Sequence, residues 1–166
     1  MACLATGRVE RSLGDFDFTI RGGYSKLTGQ RSSLTISSIL ALRGRNPHGW
    51  EPQPPPLNNR LMFLRDRHLC CYCGASRRPE ALTRDHVLPL SRGGQDVWTN
   101  VVTACKPCNQ RKGAATLEQA RMSMRYVPYS PTLYEGLILR NRKILADQMD
   151  FLVSLLPEES RLIRPD

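Results

Sequence analysis

Cys70-Cys71-Tyr72-Cys73, then Arg84-Asp85-His86-Val87-Leu88-Pro89-Leu90-Ser91-Arg92-Gly93-Gly94, Trp98-Thr99-Asn100 and Cys105-Lys106-Pro107-Cys108-Asn109-Gln110-Arg111-Lys112 are the stretches whose reading decides the fold. Cys70-x-x-Cys73 and Cys105-x-x-Cys108 each have the two-residue gap that lets both sulfurs of a knuckle reach one tetrahedral ion. Disulfides fit poorly with the reducing compartment this sequence implies. A redox pair fits poorly with two copies of the motif, neither opening a helix beside a thioredoxin-like strand. The expectation is therefore one structural Zn2+ held by Cys70, Cys73, Cys105 and Cys108. Four sulfurs close its coordination sphere, so it holds the fold and performs no chemistry. Cys71 is left as a spare thiol, and His68 as a surface histidine with no vacancy to fill.

Between the knuckles, Leu82 to Leu88 and Asn100 to Ala104 read as two strands, joined by the turn-rich Ser91 to Asp96. After Cys108, N-Q-R-K-G predicts a short helix stopped near Gly113, whose missing Cβ suits a helix end. The result is a ββα unit. Upstream, Asn58 or Asn59 can cap a short helix running to Arg67. Downstream, Thr116 to Gln119 is a capping-box pattern. A second start at Thr132 to Glu135 opens an apolar stripe of roughly helical spacing up to Pro157, read as one helix of ~24 residues. That stripe packs on the domain, with a homodimer interface as its alternative use.

Cleaving a phosphodiester needs a base to activate water, a cation to neutralise charge on the phosphate and the departing oxygen, and positive groups to hold the backbone. His86 has the one side chain in this block whose unperturbed pKa lies near neutrality. Asp85 precedes it, and in a strict strand the two would point to opposite faces. Arg65 to Lys112 resembles the zinc-stapled HNH endonucleases, and the continuation through T-L-E-Q to A-D-Q-M-D-F-L is similar to small bacterial HNH proteins. The resemblance implies a small α+β domain of the ββα-metal type with a helical C-terminal extension. It implies that the chain bends so that Asp85 and His86 serve one site. His86 would then be the general base, Asn100 would fix the loop and the histidine, and Asp85 and Asn109 would hold one divalent cation. Asn109 stands where many members have His, and an amide oxygen beside a carboxylate suits Mg2+ or Mn2+ over zinc or nickel. Arg84, Arg92, Lys106, Arg111 and Lys112 are placed as phosphate contacts, which bind backbone and carry no sequence preference. The implied partner is DNA.

Charge agrees with that partner. The 166 residues carry 24 Lys plus Arg against 15 Asp plus Glu, a formal net charge of +9. Residues 60 to 125 hold 12 basic and 5 acidic side chains and five of the six cysteines. No apolar run approaches ~18 residues, and charges dot the first thirty, so neither a membrane span nor a signal peptide is expected. That points to the cytoplasm of a bacterial type of cell, at the nucleoid when DNA is bound. Along the chain the expected order is a weakly structured leader over 1–34, then a short apolar segment and proline-rich connector over 35–57. The nuclease domain follows over 58–125, and the helical extension over 126–166. The apolar run Thr35 to Leu42 leans to strand. Two rivals to a nuclease are a non-catalytic, zinc-containing nucleic-acid-binding module and a protein-interaction module built on the C-terminal helix. The second leaves Asp85, His86 and Asn109 unexplained.

Overall fold

A computed structural model describes residues 9–42, 53–158 and 160–163. Two compact units divide the chain. The smaller comprises Met1–Glu51 and Lys143–Leu155, and the larger Pro52–Arg142 and Leu156–Asp166. Cys3 and much of the proline connector lie outside the described residues.

In the smaller unit, strand β1 (Val9–Tyr24) pairs antiparallel with β2 (Arg31–Leu42). Over residues 9–34 this replaces the weakly structured leader expected there. The stretch Asp15-Phe16-Asp17-Phe18-Thr19-Ile20 alternates polar and apolar residues with a period of two, which is strand patterning despite its charges. Phe18 faces Ile36 and Ile20 faces Leu34 across the ladder, pairs of the kind that stabilise a sheet. The strands turn at Ser25–Gln30, where the Ser25 N–H donates to the Gln30 carbonyl at 2.8 Å. Gly14 lies within a register shift at φ +107°, and a Cβ there would come within 2.0 Å of Ser38 Oγ and 2.4 Å of Asp147 Oδ2, so glycine is required.

The larger unit starts with α1 (Asn59–Arg65), capped by Asn58, whose Oδ1 accepts from the Leu61 N–H at 2.9 Å. Strands β3 (Leu82–His86) and β4 (Val101–Cys105) pair antiparallel, Leu82 with Cys105 through His86 with Val101. Helix α2 (Lys106–Lys112) follows β4 directly and ends at Gly113, whose φ of +54° suits a residue without a Cβ. Short α3 (Leu117–Ala120) has both hydrogen bonds of the Thr116/Gln119 capping box, and α4 (Leu133–Arg140) those of Thr132/Glu135. One apolar cluster gathers Leu61, Met62, Phe63, Leu82, Trp98, Val101 and Leu139. A second gathers Cys71, Tyr72, Val102 and Ala104 around Cys70 and Cys105.

The single C-terminal helix expected from Thr132 to Pro157 is broken. Helix α4 stops at Arg140, Asn141 and Leu145 adopt extended backbone, and α5 (Ala146–Ser154) starts afresh. The cause is local. Asn141 Nδ2 donates to the Leu137 carbonyl at 2.7 Å, competing with helix continuation as asparagine does. Gln148 Oε1 accepts from the Leu145 N–H at 3.3 Å at the new start. Helix α4 belongs to the larger unit and α5 to the smaller. No helix among the described residues is long and apolar enough to cross a membrane.

Candidate functional site

The four knuckle cysteines converge. The Sγ atoms of Cys70, Cys73, Cys105 and Cys108 all lie within 4.8 Å of one another. Tetrahedral coordination at a Zn–S distance of ~2.3 Å requires sulfurs ~3.8 Å apart. Cys73 and Cys105 are at 3.9 Å, so the donor set fits a zinc ion by number, type and spacing. Cys70 and Cys105 bring their sulfurs from the buried side and Cys73 from the exposed side. Burial pushes the Cys70 thiol up, but backbone N–H groups of Cys73, Cys105 and Tyr72 outweigh it and hold it at about 7. Burial, and the sulfurs around them, hold Cys105 and Cys108 above the ordinary thiol range. Crowded sulfurs cannot all ionise without a compensating positive charge, and a bound cation supplies it. Cys71 is outside this set. Its thiol donates to the Tyr126 carbonyl at 3.4 Å, and burial pushes it to about 11.

Helix α2 sets the catalytic candidates against β3. Asn109 and Lys112 are three residues apart and share a helix face. Asn109 Nδ2 donates to Thr83 Oγ1 at 2.9 Å and to the Arg84 carbonyl at 3.4 Å. Lys112 Nζ donates to the Asp85 carboxylate at 3.2 Å and to the His86 carbonyl at 2.7 Å. Cys108 immediately precedes Asn109, so a metal held by the four cysteines would fix the helix that carries these contacts.

Asp85 is 6% exposed and is gripped from two sides, by Lys112 and by the Tyr72 hydroxyl. Burial and then Asp85 itself hold the Tyr72 phenol far above its ordinary value, so it remains a donor. His86 faces elsewhere, its Nε2 lying 2.8 Å from Asp96 Oδ1. The β3–β4 pairing runs unbroken through Asp85 and His86. The bend implied between them is therefore not present, and ordinary strand alternation sends the two side chains to different partners.

Asn100 binds the loop and not the imidazole. Its Oδ1 accepts from the Leu88 N–H at 2.9 Å, and its Nδ2 donates to the carbonyls of Leu88 at 3.0 Å and Gln95 at 2.8 Å. These contacts lie in the turn that follows the histidine. The same turn needs Gly94, where a Cβ would lie 1.9 Å from the Leu88 carbonyl oxygen. Asn100→Ala is expected to destabilise the protein by ~1.5–4.5 kcal/mol, from three hydrogen bonds of ~0.5–1.5 kcal/mol each. Urea unfolding of the metal-loaded protein measures it.

The expected phosphate contacts separate into three kinds. Lys106 and Arg111 are exposed on α2, and Arg92 is exposed with its Nε donating to the Ala114 carbonyl at 2.9 Å. Arg84 is engaged within the fold, bonding Asn59 Oδ1 at 2.9 Å and Asp96 Oδ2 at 2.6 Å. Lys112 is corrected outright: it is 2% exposed, and its ammonium is directed inward at Asp85.

Asp96 and Tyr72 carry site contacts that the motif reading left out. Hydrogen bonds from Arg84 and then His86 hold the Asp96 carboxyl below the usual carboxylate range. Its signal in the sequence is thin, one carboxylate four residues before Asn100. Tyr72 sits inside the first knuckle, where cysteine spacing draws attention from it. Residues 70–125 match the HNH endonuclease family. No curated protein matches the chain. The four-cysteine cluster and the hairpin-plus-helix geometry both fall within this segment, from Cys70 to Arg125, which is similar to the HNH endonucleases.

Proposed function

We propose that the larger unit hydrolyses phosphodiester bonds of DNA, with His86 as general base and one divalent cation, Mg2+ or Mn2+, held by Asp85 and Asn109. The docking of Asn109 and Lys112 along β3, which brings the end of α2 to Asp85 and His86, carries this reading. The oxygens fit a hard cation. Each Asp85 oxygen retains acceptor capacity beyond its present donors, and Asn109 Oδ1 accepts no hydrogen bond from the described residues. When bound, such a cation would neutralise charge on the phosphate and the departing oxygen.

The imidazole is oriented for its role. With the Nε2 N–H donating a hydrogen bond to Asp96, neutral His86 keeps its lone pair on Nδ1, which makes no hydrogen bond with the described residues. Nδ1 takes the proton of the attacking water, and the resulting imidazolium is stabilised by the ionised Asp96 beside it. Asn100 holds the loop that follows, and exposed Lys106, Arg111 and Arg92 meet the backbone phosphates.

Supercoiled plasmid incubated with the purified protein and Mg2+ or Mn2+ should be nicked. His86→Ala should lower the rate at least about 10²-fold while DNA binding is retained. Equal failure of wild type and variant would overturn the enzyme reading. One observation favours the alternative of a non-catalytic nucleic-acid-binding module: the Lys112 ammonium already neutralises Asp85.

A further inference from the structure

Helix α1 presents Arg60, Phe63 and Leu64 at helical spacing, and with His68 from the turn that follows, this face lines a cavity of about 690 Å3 closed by Leu139 and Arg142 among others. A second, open depression adjoins it, sharing His68 and Pro79 and edged by Arg77 and Arg78. We propose that this arginine-rimmed surface is a second DNA-binding face, taking the sugar-phosphate backbone of duplex that flanks the cleavage site. The proposal rests on the nuclease reading for its choice of DNA, and its own evidence is separate.

Three observations carry it. Arg60, Arg77, Arg78 and Arg142 are exposed, and no carboxylate among the described residues pairs with them. Of the acids nearby in sequence, Asp66 is taken up by Arg65, and Glu80 lines neither depression. Unneutralised guanidiniums on a folded surface attract anions, and guanidinium matches phosphate geometry. The cations are also spread over two adjoining depressions. A single small anion would use one of them, whereas a polyanion engages both. The floor of the larger one is Phe63, Leu64, Ile138 and Leu139, apolar surface against which deoxyribose packs.

The face also adjoins the catalytic end. Asn59, the neighbour of Arg60 on α1, accepts from Arg84, which bonds Asp96, which bonds His86. A duplex held near His86 by α2 therefore has a basic surface to follow along the first turn of α1.

The test is the salt dependence of DNA affinity. Each phosphate contact contributes about −0.9 to the slope of log K against log salt on duplex DNA. Binding of a duplex of about 30 base pairs is measured in a His86→Ala background, so that cleavage cannot consume the probe. Against that parent, combined Arg60→Ala, Arg77→Ala, Arg78→Ala and Arg142→Ala should reduce the slope by about 2–4 and weaken binding at least about 10-fold at 0.1 M salt. Arg77→Glu/Arg78→Glu should weaken it further. Zinc content and melting temperature should match the parent in both. Folded variants with the parent slope and affinity would overturn the proposal while leaving plasmid cleavage, and with it the nuclease reading, intact. Loss of plasmid cleavage by wild type with the slope still reduced would overturn the nuclease reading alone. A parent that binds no duplex at low salt overturns both.

Discussion

Stripping zinc from Cys70, Cys73, Cys105 and Cys108 with a strong chelator is expected to abolish cooperative unfolding of the larger unit. Structural zinc contributes an apparent ~10–16 kcal/mol in small zinc domains, and whole domains are stable by only ~5–15 kcal/mol. The sulfurs also sit inside the second apolar cluster, where Cys70 is fully buried and Cys105 is 6% exposed. Removing the ion leaves thiols crowded among Tyr72, Val102 and Ala104 with no cation to hold them together. Cys105→Ser should act in the same direction, because it removes a ligand at the junction of β4 and α2. Circular dichroism melts with and without chelator, beside elemental analysis, measure this. A zinc-free protein that melts cooperatively at the same temperature would refute it.

Arg65→Ala is expected to cost about 3–5 kcal/mol, the range for breaking a buried ion pair. Arg65 is fully buried, and all five of its N–H donors are used. Nε and Nη2 grip Asp66 at 2.8 and 3.0 Å, Nη1 reaches the Trp98 and Tyr129 carbonyls at 2.9 and 2.8 Å, and Nη2 reaches the Val101 carbonyl at 2.8 Å. Asp66 in turn accepts from the Thr103 N–H at 2.9 Å. One side chain thus ties α1 to both ends of the turn before β4 and to the segment leading into α4. Alanine would strand a buried carboxylate and three carbonyls. Arg65→Lys should recover little, since an ammonium cannot reproduce the planar fork. Urea unfolding of the zinc-loaded variants gives the difference. A loss under about 1 kcal/mol would mean that water or a side-chain shift replaces the network.

The four-cysteine cluster and the ββα core were legible because their signals are short-range: cysteines in pairs with a two-residue gap, a Gly at a helix end, capping boxes at Thr116 and Thr132. The Arg65 network was not, because its partners lie at positions 98, 101 and 129 and nothing in the local pattern distinguishes a buried arginine from a solvated one. The direction of Lys112 was hidden for the same reason. In a basic stretch it resembles its neighbours Arg111 and Lys106, and only the docking of α2 on β3 turns it inward. The β1–β2 hairpin was missed by weighting charge over alternation. The break after Arg140 was missed because an apolar stripe continues across it in sequence while Asn141 ends the helix in space.

Cys73 and Cys105 are 32 residues apart, and the whole β3–β4 hairpin lies between them. During folding, an ion joining the two knuckles would close this loop, and closure entropy rises only slowly with loop length. Once it is closed, pairing Leu82 with Cys105 becomes a local event, which shortens the conformational search. Metal acquisition would therefore set how quickly this chain reaches its native state, as well as how firmly it stays there.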